Sequence, residues 1–146
     1  MIEEVSAALT FVLDCSVTMA WVFPDEATED TGRLRDALTG GRAFVPALWP
    51  IEVANVLLVA TRRGRIDETD LSRIRRSLEA LPITIDPVST SRIRGTVLDV
   101  AYAHGLSVYD ATYLELAIRM RLPLATLDRA LADAGRAAGL EVPTVT

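Results

Sequence analysis

A chain of 146 residues, 50% hydrophobic and 24% charged, is the size of one domain with one continuous core and is too apolar to be disordered. It has one cysteine, one histidine, fifteen arginines and no lysine, which excludes a disulfide framework, a Cys- or multi-His zinc site and any site that needs a lysine, such as a P-loop or a Schiff base. The net charge of −5 argues against holding nucleic acid by a basic surface alone, and no apolar run approaches the roughly 18 residues that span a bilayer.

The start "MIEEVSAALTFVLD" lacks the basic region of a secretory leader, so a cytoplasmic protein is expected, with residues 1–10 as an extension before the first strand. The first strand is "TFVLD". Ser16 is placed to cap a short helix through "VTMAWVF" that stops at Pro24. Thr28 opens "EDTGRLRDALTG", which ends at Gly40 and Gly41, and "RAFVP" is the second strand. Pro50 suits the first position of the helix "IEVANVLLVATRRG", with Gly64 as its stop. "DETDLSRIRRSLEAL" follows as the other arm of a helical hairpin, and "PITID" is the third strand. "STSRIRGTVLDVAYAHG", "LSVYDATYLELAIRM" and "DRALADAGRAAG" are helices each expected to be closed by glycine, with His104 beside Gly105 in a C-terminal turn that favours a cation. "LPLATLD" and the final "EVPTV" are read as the last strands. Strands alternating with helices imply a central parallel sheet, hence a single α/β domain over residues 1–146 with three α/β/α layers.

Four acids fall in comparable places along this pattern. Asp14 ends the first strand and Asp128 ends "LATLD". Glu52 follows Pro50 by two positions and Asp110 follows Ser107 by three, so both are expected in the first turn of a helix, where an acid is favoured. Singly, each is explained as a turn residue or a cap. Jointly they belong to the carboxyl ends of strands and the adjoining helix starts, where open parallel sheets bind ligands. Carboxylates gathered in one crevice repel and raise one another's pKa values unless a cation sits among them. A hard divalent ion with oxygen ligands resolves this, and one or two Mg²⁺ or Mn²⁺ ions can activate water for in-line displacement at phosphorus. Ser16, Thr126 and Asn55 are short polar neighbours suited to support such a site.

The stretches "FVLDCSVTMAWVFPDE", "FVPALWPIEVANVLLVA" and "GLSVYDATYLELAIRMRLPLATLDRALADAGRAAGL" resemble the PIN domain, in particular the VapC-type ribonuclease toxins of bacterial toxin–antitoxin pairs. The resemblance runs from Phe11 through nearly all of the chain, and "YDATYLELA" followed by "LPLATLD" is its most specific part. It implies a Mg²⁺- or Mn²⁺-dependent endoribonuclease that hydrolyses phosphodiester bonds with metal-activated water. The catalytic and metal-binding acids would be Asp14, Glu52, Asp110 and Asp128, with Ser16 and Thr126 as supporting hydroxyls. It also implies a homodimer and inhibition by a small cognate antitoxin that inserts a segment into the acidic groove. The N-terminal extension and the Trp49-Pro50 pair depart from the family's usual pattern and bear on helix entry rather than on the chemistry.

Arg62, Arg63, Arg65, Arg73, Arg75 and Arg76 cluster on the helical hairpin, either as a solvated face beside Asp67, Glu68 and Asp70 or as a rail for RNA phosphates. Trp21, Phe23, Trp49, Tyr109 and Tyr113 are read as core or dimer packing before base stacking. Competing functions are weaker. A phosphatase with an aspartate nucleophile needs a second aspartate where Ser16 stands, a receiver domain needs a lysine, and a non-catalytic interaction module would need no metal.

Overall fold

Phe11, Val12 and Leu13 of the first strand have no exposed surface. Successive strand side chains point to opposite faces, so both faces of the sheet are covered at this strand, which is the three-layer condition. The structure, a computed structural model, describes residues 7–146. Most of the N-terminal extension, residues 1–6, lies outside the described residues.

The elements run β1 (Thr10–Leu13), α1 (Cys15–Val22), a 3₁₀ turn (Pro24–Glu26), α2 (Glu29–Asp36), β2 (Arg42–Pro46), α3 (Leu48–Arg62), α4 (Glu68–Glu79) and β3 (Ile83–Asp86). Then come α5 (Thr90–Arg92), which passes through a π turn (Ile93–Val97) into α6 (Leu98–His104), and α7 (Val108–Met120), β4 (Leu124–Ala125) and α8 (Arg129–Ala137). All four strands are parallel in the order β3-β2-β1-β4. From β1 the chain moves outward through β2 and β3 and returns to pair β4 on the other side of β1. The order therefore reverses between β1 and β4, and the crevice at their carboxyl ends is where a ligand site is expected.

Several local signals act as the sequence implies. Thr28 caps α2 in a reciprocal arrangement with Thr31, and Asp67 does the same with Asp70 for α4. Each satisfies amides that the first turn leaves without partners. Gly105 closes α6 in the left-handed conformation with His104 just before it. An added Cβ on Gly41 would lie 2.1 Å from the Leu9 carbonyl oxygen, so only glycine lets the segment before β1 pass so close to the start of β2.

Other expectations shift. Helix α3 starts at Leu48, placing Pro50 third; its missing N–H is tolerated there because the first three helical amides have no intrahelical acceptor. Helix α1 starts at Cys15, so Ser16 lies inside it and Asp14 takes the cap position without a side-chain capping bond. Helix α7 is closed not by a glycine but by Arg121, which takes the left-handed conformation itself and turns its amide back to the Ala117 and Ile118 carbonyls. The final "EVPTV" forms no strand: the Leu124 amide donates to the Glu141 carbonyl, and Pro143 has no N–H with which to extend a ladder. No helix among the described residues is long and apolar enough to cross a membrane.

Candidate active site

Asp14 is delivered by β1 as it runs out into α1, and it is 7% exposed. Its Oδ2 accepts the Ser16 hydroxyl at 2.6 Å and the Thr126 hydroxyl at 2.8 Å. Both hydroxyl oxygens also accept backbone amides from the loop after β4, Ser16 from Leu127 at 2.9 Å and Thr126 from Asp128 at 3.0 Å. The two hydroxyls thus lock the β4–α8 loop against the end of β1 and fix the Asp14 carboxylate between them. Ser16 supports the site, and it does so from inside the helix rather than as a cap.

Asp128 caps α8, its Oδ1 accepting the Leu131 amide at 2.8 Å. Asp110 sits in the first turn of α7, whose start is capped by Ser107 accepting the Asp110 amide at 3.1 Å. Glu52 lies in the second turn of α3, one turn later than expected, because the helix begins at Leu48. Trp49, buried in the turn before it, donates to the Thr18 hydroxyl at 3.0 Å and anchors that end of α3 to α1. The Glu52 Oε1 accepts the Tyr113 hydroxyl at 2.5 Å.

The acids feel one another. Burial pushes Asp14 above the usual carboxylate range, the Ser16 and Thr126 hydroxyls partly counter it, and Asp128 raises it further. Glu52 is raised by burial and then by Asp14 and Asp110, against the lowering bond from Tyr113. Asp110 is raised by burial and then by Asp128 and Asp14, against a smaller lowering by the Ser107 hydroxyl. No arginine figures among the causes for these three groups. Cys15 lies next to Asp14, and its thiol is pushed up to about 12 by burial, Glu52 and Asp14, away from the thiolate form.

The donor set suits a hard divalent cation in kind: carboxylate and hydroxyl oxygens, with no histidine or thiolate competing for a softer metal. Among the described residues, no three Asp, Glu, His or Cys side chains are already drawn within reach of a single ion. Asp14, Glu52, Asp110 and Asp128 are nevertheless close enough to act on one another's carboxyl groups.

Asn55 is exposed and makes no hydrogen bond to the acids among the described residues. Of the arginines, Arg65 stacks over the Phe23 ring at 3.7 Å and pairs with Asp25 and Glu26, and Arg73 pairs with Asp70. Arg62, Arg63, Arg75 and Arg76 are exposed with no ionic partner among the described residues. Of the aromatic residues, Phe23, Trp49 and Tyr113 are buried, while Tyr109 is exposed near Asp110 in the sequence.

Two features escape a reading of the sequence. Tyr113 is expected there only as packing, although its spacing of three from Asp110 puts both on one helix face. A buried ionic network is not foreseen at all: Glu115, 3% exposed, accepts from Arg92 at 2.9 Å and Arg119 at 3.0 Å, and Arg119 continues to Asp86 at 2.6 Å. Its partners come from α5, α7 and β3: Glu115 and Arg119 stand four apart on α7, while nothing in the sequence spacing links them to Arg92 or Asp86.

Residues 11–137 match the PIN domain family model. Ribonuclease VapC3 of Pyrobaculum aerophilum is 30% identical over 125 residues, which is 86% of this chain and 94% of that protein. Ribonuclease VapC9 of Mycobacterium tuberculosis is 30% identical over 126 residues, covering 86% and 91%. Among solved structures, PAE2754 from Pyrobaculum aerophilum superposes with a TM-score of 0.63 at 25% identity, over 88% of this chain and 87% of that one. FitAcB from Neisseria gonorrhoeae superposes with a TM-score of 0.65 at 17% identity over 92% and 96%, a likeness of fold. The chain belongs to the PIN domain family and, within it, to the group of the VapC ribonucleases.

Proposed function

We propose that the chain is a Mg²⁺- or Mn²⁺-dependent endoribonuclease, the toxin of a toxin–antitoxin pair. The observation that carries this reading is the set of raised carboxyl groups at one end of the sheet. Asp14, Glu52 and Asp110 are each raised first by burial and then by another of the site acids, and among the described residues no cationic side chain pairs with them. A protein that kept these acids only for stability would pair them, as it pairs Glu115 with Arg92 and Arg119.

Asp14, Asp110 and Asp128, with Glu52, would hold the cation. When bound, it supplies activation of water and stabilisation of the leaving oxygen at phosphorus. Ser16 and Thr126 hold Asp14 in place as donors, so its free oxygen keeps one direction. Glu52, in the half-buried second turn of α3, faces the same crevice and completes the negative field. Exposed Arg62, Arg63, Arg75 and Arg76 would take phosphates on the α3–α4 side, Arg65 and Arg73 being committed to internal pairs. This division lets a protein of net charge −5 bind a polyanion.

The relatives bear the name ribonuclease, which supports RNA as the substrate. The antitoxin would insert a segment into the acidic groove, and a separate apolar groove of about 510 Å³ between α3, α4 and β3, lined by Leu57, Leu58, Leu71, Arg75 and Leu78, offers it a second seat. We place the protein in the cytoplasm as a homodimer. The test is cleavage of structured RNA by purified protein in Mg²⁺. Cutting that is abolished by EDTA and by Asp110→Asn is the expected result; no cutting in any divalent ion points instead to a binding module, and full activity of Asp110→Asn overturns the site.

A further inference from the structure

Tyr113 is the largest fully buried side chain of the protein, yet its hydroxyl reaches out of the core to a site carboxylate. Glu52 is less well provided for than Asp14. It is past the first turn of α3, where free backbone amides could have bound it, and α3 has no side-chain cap. Among the described residues its carboxylate receives one side-chain hydrogen bond, the 2.5 Å bond from Tyr113. A flexible glutamate with one such bond has its rotamer set by that donor.

The donor is itself immobile. Tyr113 is 1% exposed, its ring is embedded in the main core, and it stands three residues after Asp110 on α7. One face of α7 thus presents a carboxylate and, one turn on, the hydroxyl that holds the carboxylate of α3. The bond takes Oε1, and among the described residues no side chain bonds Oε2 of Glu52. Asp14 is treated in the same way, two hydroxyls taking Oδ2 and leaving Oδ1.

We propose that Tyr113 is a positioning residue for the acidic site, aiming the free oxygen of Glu52 at the divalent cation. The inference rests on the metal-dependent reading above. Groups that orient metal-binding side chains are typically worth about 10- to 100-fold in metal affinity or activity, and Tyr113 is assigned that range.

Tyr113→Phe removes the hydroxyl and keeps the ring. Mn²⁺ binding is read by electron paramagnetic resonance of free Mn²⁺ in the absence of RNA, and RNA cleavage is measured in parallel. The expected result is Mn²⁺ binding about ten-fold weaker, a lower kcat at saturating RNA and an unchanged KM for RNA. Tyr113→Phe in a Glu52→Gln background should cost nothing more, because the hydroxyl acts only through Glu52. If Tyr113→Phe alone is too unstable to assay, the double variant is compared with Glu52→Gln alone. Wild-type Mn²⁺ affinity in Tyr113→Phe overturns the inference, and so does a further loss in the Glu52→Gln background. These failures leave the nuclease reading intact if wild-type protein binds Mn²⁺ and cuts RNA; if it does neither, that reading falls and takes this inference with it.

Discussion

Two groups of acids in this protein meet opposite treatment. In one, Glu115 is 3% exposed and accepts from Arg92 and Arg119, and Arg119 also holds Asp86 at the end of β3. In the other, Asp14 is 7% exposed and accepts only neutral hydroxyls and backbone, with Glu52, Asp110 and Asp128 as its charged neighbours. A buried carboxylate is therefore no mark of function by itself. What separates the groups is the cation: the protein supplies it to Glu115 and withholds it from Asp14. A fold that has fifteen arginines and directs none of them at its most crowded acids leaves that charge for something that binds.

The comparison breaks most visibly by substitution at the uncompensated group. Asp14→Asn should leave the fold intact and lower RNA cleavage by at least about 100-fold, because a ligand ought to matter no less than the groups that merely orient ligands. A folded Asp14→Asn protein with near-wild-type turnover would remove the distinction. At the compensated group the expected damage is to stability. Glu115→Gln removes the negative charge that Arg92 and Arg119 share and turns one acceptor oxygen into an NH2 donor facing them, and urea denaturation should show a loss of about 2 kcal/mol. That is below the ~3–5 kcal/mol of a fully buried pair because both arginines are partly exposed and can rehydrate. Its cleavage rate, measured well below the melting point, should stay close to wild type.

Much of the fold was legible because its signals are local. The caps Thr28 and Asp67, the fully apolar "FVL" of β1 and the acids at strand ends each depend on a few neighbouring residues. Asp14 follows β1 and Asp110 lies in the first turn of α7 as the pattern implied, whereas Asp128 caps α8 three residues beyond the end of β4. Glu52 reached the same crevice from the second turn of α3, since the proline signal set the helix start too late. What stayed hidden depends on tertiary distance. The Tyr113–Glu52 bond spans 61 positions and the Thr126–Asp14 bond 112, so only the folded chain assembles them. Asn55 failed for the converse reason: helical spacing from Glu52 was right, but its side chain emerges at the exposed surface.

A smaller effect sharpens the role of the arginines. Replacing Arg62, Arg63 and Arg76 together by alanine should raise KM for RNA with kcat unchanged. It should also make the salt dependence of binding shallower, by about 0.7 in the log–log slope for each phosphate that the variant no longer neutralises. Replacing Arg65 instead breaks its pairs with Asp25 and Glu26 and its stacking on Phe23, and should leave that slope unchanged.

The most direct measurement is thermal unfolding of wild type and Asp110→Asn, each with EDTA and with Mg²⁺. Asp14, Glu52 and Asp110 are raised above their ordinary values of 3.8 for aspartate and 4.5 for glutamate. Across the window from those values up to the raised ones, the folded protein holds protons that the unfolded chain has lost, so this group's contribution to stability falls as pH rises. Asp25, Asp30 and Asp70 are lowered and contribute with the opposite sign, losing stability as pH falls, but they are common to both proteins and cancel in the comparison. Without metal at pH 7, Asp110→Asn should therefore melt above wild type, and the gap should close as pH is lowered toward about 4. Mg²⁺ should raise the melting temperature of wild type and raise that of Asp110→Asn by less. A metal-free Asp110→Asn protein that melts below wild type, together with an equal Mg²⁺ shift in both, would contradict the account.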